Sequence, residues 1–110
     1  MNVYDTANNL AAELKKSSEY IEFKKAKEKV DANPELKQKI EQFEKIRYDA
    51  QVLSIQKGEQ DKEKLAKLQE LYQILIQNKE VKEYFDLEVK FNVLLADINK
   101  IIGEAVKDVL

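Results

Sequence analysis

Residues 33–58 read NPELKQKIEQFEKIRYDAQVLSIQKG, and the fold is decided in this stretch. Asn33 has the side chain of a helix N-cap, Pro34 suits the first helical position, and Glu35 falls in the electropositive first turn. Leu36, Ile40, Phe43, Ile46, Ala50 and Leu53 then follow at steps of three and four, which places them on one helical face. Gly58 comes where a left-handed cap is cheapest. A long helix over 34–57 is the expectation.

The same grammar extends in both directions. Upstream, Val3, Ala7, Leu10 and Leu14 mark a helix over about 4–16. Ser17 and Ser18 offer an N-cap for a second helix, with Tyr20, Phe23, Ala26 or Lys27, and Val30 along its apolar side. Downstream, Glu59-Gln60-Asp61 forms a short connection. Leu65, Leu68, Leu71, Tyr72 and Leu75 then line a fourth helix. Asn78-Lys79-Glu80-Val81 has the form of a second cap, although Lys79 stands where a proline would sharpen it. Helices four and five are therefore either separate or one bent rod, the fifth running over about 79–108. The prediction is a single all-α domain, residues 1–110. It has about five helices forming elongated antiparallel helical hairpins, with long helices at about 34–57 and 79–108.

Composition supports this and removes several kinds of chemistry. The 110 residues are 44% hydrophobic and 36% charged, with Gly 2, Pro 1, Cys 0, Trp 0 and His 0. That is too apolar for disorder and too poor in turn formers for a sandwich or barrel. Without cysteine or histidine there is no disulfide, thiolate nucleophile or imidazole base. Residues 1–58 carry 11 basic and 10 acidic side chains and residues 59–110 carry 8 and 11, so neither half is a basic footprint for duplex nucleic acid. The opening Met-Asn-Val-Tyr-Asp-Thr lacks a charged and then apolar leader, and no apolar run is long enough to span a bilayer. A cytoplasmic protein with no membrane association is expected.

Residues 16–58 can be laid on 61–103 at an offset of 45. Asn33, Glu35, Lys37, Lys45 and Gly58 then fall on Asn78, Glu80, Lys82, Lys90 and Gly103. Two readings stay open: shared helical grammar, or a duplicated unit of one short and one long helix.

The long helices also carry a second apolar stripe. Tyr48, Val52 and Ile55 lie away from the main stripe of the third helix; Phe85, Val89 and Val93 lie away from that of the fifth. A surface helix needs one such stripe. A helix of about 24 residues is roughly 36 Å long, whereas the radius of gyration of a domain this size is about 13 Å. These six side chains are the candidate interface with a second subunit, a dimer being the first choice.

Little else points to chemistry. Carboxylate pairs such as Glu41 with Glu44 sit on polar arcs without histidine, so no metal site, cofactor or catalytic residue is expected. Glycine-rich phosphate loops are absent too, since the two glycines, Gly58 and Gly103, both follow helical segments. Lys24, Lys25, Lys27 and Lys29 form a basic run interleaved with Glu22, Glu28 and Asp31, which reads as a solvated face. Arg47, the sole arginine, is a candidate partner contact, or else a boundary residue that covers the core with its stem.

The pattern as a whole resembles a known family. Asn2-Val3-Tyr4-Asp5 with Ala7-Asn8 and Leu10-Ala11 is one element, and Ser18-Glu19-Tyr20 with Phe23-Lys24 and Ala26 another. Asn33-Pro34-Glu35-Leu36, Phe43, Phe91-Asn92, Ala96-Asp97-Ile98 and Ile102-Gly103 complete it. Together they resemble the YheA-like branch of the YlbF/YmcA family of small helical bacterial proteins. The resemblance implies an all-helical fold, self-association and a cytoplasmic location. It also implies a regulatory role, since relatives control competence, sporulation and biofilm formation within a complex that directs an endoribonuclease to messenger RNA. Cysteines connected with an iron–sulfur cluster in some relatives have no counterpart here, so no cluster is implied.

Two functions follow as expectations. The first is a non-enzymatic regulator or adaptor acting through helix–helix contacts as a homodimer. The alternative is an RNA-binding helical protein that uses the Lys24–Lys29 run and Arg47 for phosphate contacts.

Overall fold

The computed structural model describes residues 2–57 and 62–110. Among the described residues there are five helices and no strands: α1 (Val3–Lys16), α2 (Ser18–Asp31), α3 (Pro34–Lys57), α4 (Lys62–Leu75) and α5 (Lys79–Val106). The expected stop at Gly58 and the connection Glu59-Gln60-Asp61 lie outside the described residues.

Each boundary has a local cause. Asn2 caps α1, its side chain accepting a 2.9 Å hydrogen bond from the Asp5 N–H. Ser17 both ends α1 and begins α2. Its backbone is extended (φ −67°, ψ 149°), its hydroxyl donates to the Leu14 carbonyl at 2.6 Å, and the same oxygen accepts from the Tyr20 N–H at 3.2 Å. Asn33 Oδ1 accepts from the N–H groups of Glu35 (3.1 Å) and Leu36 (3.3 Å). Asn78 Oδ1 does the same for Glu80 (2.9 Å) and Val81 (3.2 Å). The second cap therefore works without a proline, and α4 and α5 are separate helices. Both caps satisfy N–H groups that have no partner inside the helix. Gly103 departs from expectation: it lies within α5, not after a helix, and a Cβ there would meet nothing within 4 Å.

The chain divides into two compact units, one of residues 1–27 with 84–110 and one of residues 28–83. In the second, α3 packs on α4. The rings of Phe43 and Tyr72 lie 6.1 Å apart, and Val30, Ile40, Phe43, Leu75 and Val81 are buried. In the first, Phe23 of α2 sits 5.4 Å from the Tyr84 ring and 5.7 Å from the Phe91 ring, with Tyr20 6.0 Å from Phe91. Tilted ring pairs at such separations add about 0.5–1.5 kcal/mol each beyond the area they bury. Within the first unit the earlier Tyr20 meets the later Phe91 while Phe23 also reaches Tyr84, the order of an antiparallel pairing of α2 with α5.

The 45-residue offset recurs in the structure. Pro34 and Lys79 both open long helices, each one residue after an asparagine whose oxygen accepts from the second and third N–H groups of its helix. Replacing either asparagine by alanine should cost about 1 kcal/mol in urea unfolding. Asn78→Ala should cost more than Asn33→Ala, because Pro34 fixes the first helical φ and Lys79 does not.

Candidate interaction surface

The expected interface residues fall into three groups. Tyr48 and Ile55 on α3 are open to solvent, 66% and 83% exposed, and Val52 between them is half-buried. Val89 and Val93 on α5 are 60% and 54% exposed. Phe85 is the correction, being buried at 5% with its ring 5.6 Å from that of Tyr84. Helical geometry explains it. Each step of four residues advances 400°, or 40° beyond a full turn. Phe85 thus stays beside the fully buried Val81, while Val89 and Val93 have rotated out of the core.

Val89 and Val93 border a groove of about 430 Å³ with Leu87 and Lys90 of α5 and Ser18, Glu19 and Glu22 of α2. Its lining mixes aliphatic and charged side chains. Glu19 sits in the first turn of α2, where a hydrogen bond from its backbone N–H, another from the Ser18 hydroxyl and the charge of Lys90 hold its carboxyl below the ordinary value. Glu19 is therefore ionised at neutral pH.

A second groove of about 580 Å³ runs between α1 and the end of α5, lined by Asn2, Val3, Thr6, Ala7, Leu10 and Ile102. Sequence reasoning marked Val3, Ala7 and Leu10 as one face of a helix and did not mark that face as a contact surface. The available signal was a regular apolar stripe on a helix of only 14 residues. No residue of α1 is buried.

Arg47 is half-buried, with its guanidinium 5.5 Å from the centre of the Phe43 ring. Its stem and charge cover a core aromatic, so its place is the boundary role more than a projecting contact. The four lysines of α2 are exposed but not gathered. Lys24 and Lys27 lie on one flank of the helix and Lys25 and Lys29 on another, with Glu22 and Glu28 interleaved. Among the described residues no group of three or more histidine, cysteine or acidic side chains could hold a metal ion, and no helix is long and apolar enough to cross a membrane.

Comparison with known proteins adds the family context. Residues 3–107 match the family described as control of competence regulator ComK, YlbF/YmcA. A UPF0342 protein of Caldicellulosiruptor saccharolyticus is 42% identical over 105 residues, covering 96% of this chain and 88% of that protein. One from Clostridium novyi is 40% identical, with 98% and 95% covered, and one from Symbiobacterium thermophilum is 39% identical, with 94% and 93% covered.

The burial contrast along α5 sets a clear expectation. Phe85→Ala should lower unfolding free energy by about 3–5 kcal/mol. Val89→Ser should change it by no more than about 0.5 kcal/mol. Urea titrations followed by circular dichroism measure both.

Proposed function

The chain belongs to the YlbF/YmcA family, and on that premise we propose that it is a non-enzymatic regulator or adaptor that works in the cytoplasm through helix–helix contacts with protein partners. One observation carries the reading. Val89 and Val93, on a regular helix, remain more than half exposed beside a groove lined by both aliphatic and charged side chains. Fully burying a valine-sized side chain is worth about 1.5–3 kcal/mol, so covering the exposed half of each is worth about 1 kcal/mol. An amphipathic helix laid along such a groove meets apolar side chains at the spacing its own stripe requires. The competence-regulator description of the family is compatible with this reading. A link to RNA processing, sporulation or biofilm control enters by family likeness alone.

The RNA-binding alternative has less support, since the α2 lysines are split between two flanks and alternate with acids. Affinity for single strands depends on aligned cations and stacking rings. Titration with single-stranded RNA at moderate salt should give no binding at tens of micromolar protein; binding that weakens steeply with salt would reverse the order of the two readings.

The adaptor reading is tested by tagging the chain in its native cytosol and identifying co-purified proteins by mass spectrometry, alongside Val89→Lys and Val93→Lys variants. A partner retained by the wild type and lost from both variants is the expected result. Recovery of the protein alone, or of the same partners by all three chains, overturns it.

A further inference from the structure

We propose that the groove between α2 and α5 receives a cationic amphipathic helix from a protein partner. This rests on the reading of the protein as one that works by contact, and it assigns the chemistry of what is contacted.

The apolar part of this surface is short and regular. Val89 and Val93 stand one turn apart on α5 and are 60% and 54% exposed. Seven residues advance about 700°, roughly 20° short of two full turns. Exposed Ala96 therefore prolongs the same ridge, and the three side chains span about 10 Å along the helix. An apolar ridge of that length holds a partner weakly by itself, because association has to offset the lost freedom of both molecules. The charges beside it select what can sit there.

Those charges are unbalanced. Glu19 and Glu22 line the groove from α2, and Lys90 lines it from α5. Asp86 precedes Val89 by three residues and Asp97 follows Val93 by four, so a carboxylate stands about one turn beyond each end of the valine pair. Lys25, three residues after Glu22, is the other cation within one turn of the lining. Four carboxylates thus surround the ridge against two ammonium groups. A helix with an apolar stripe flanked by lysine and arginine matches this layout, its stripe on Val89 and Val93 and its cations beside Glu22, Asp86 and Asp97. An acidic helix or a phosphate backbone would meet like charge. A wholly apolar helix would cover the carboxylates and leave them uncompensated.

Fluorescence anisotropy of the full chain with two synthetic helical peptides of about 18 residues, roughly 27 Å long, tests this. Both peptides carry the same leucine stripe; one has lysine and arginine over the rest of its surface and the other glutamate. The cationic peptide should bind at least tenfold more tightly at low salt, and the preference should shrink as added salt screens it. Glu22→Lys and Val89→Ser should each weaken its binding at least fivefold. Glu41→Lys on α3, with the same change in net charge as Glu22→Lys, should not. All three positions are exposed, and circular dichroism checks that each variant keeps its helices. Equal affinity for the two peptides overturns the proposal, as does no binding of the cationic one. Equal weakening by Glu22→Lys and Glu41→Lys, or none by Val89→Ser, overturns it as well. If the cationic peptide fails while Val89→Lys still releases a native partner, this chemistry is wrong and the adaptor reading stands.

Discussion

Apolar side chains have to leave water somewhere for a helical chain to fold, and here that withdrawal is concentrated in a few places. Ala26, Val30, Ile40, Phe43, Leu75, Val81, Tyr84, Phe85 and Leu87 are the buried hydrophobic residues among those described. They come from α2, α3, α4 and α5, and none from α1. The rest of the structure depends on where they sit. Helices are fixed where they approach these residues and become progressively more exposed away from them. In α5 the progression occurs within one element, from an enclosed start around Val81 to an open end around Ile101.

Most of the architecture was legible because helix ends in this chain are written in side chains. Asn33-Pro34 announces α3 without ambiguity, since both residues act on the same turn. Asn78 was harder to judge with Lys79 beside it. The structure shows that the asparagine oxygen, through two backbone N–H groups, suffices to start the helix. Repeated spacing likewise indicated which residues share a face. What spacing does not encode is how far around the helix the core reaches. Phe85 lay within that reach and Val89 beyond it, and both fit the same step of four.

α1 illustrates the other limit. Its periodicity identifies an apolar face as clearly as that of α3, yet α3 buries Ile40 and Phe43 while α1 buries nothing. Amphipathicity states that a face wants cover and leaves open what supplies it. Arg47 shows a related ambiguity, because an arginine beside an apolar stripe fits both a projecting contact and a lid over a ring. The short distance to Phe43 favours the lid.

Ser17 carries a consequence for how the molecule loosens. Its extended backbone interrupts the ladder of amide hydrogen bonds, and one hydroxyl oxygen serves as stop for the helix before it and start for the helix after it. Cooperative unwinding propagates along an unbroken ladder, and this one is cut. α1 is therefore joined to α2 without a continuous hydrogen-bond ladder, so unwinding of α1 has no direct backbone route to the Tyr20, Phe23 and Phe91 ring contacts.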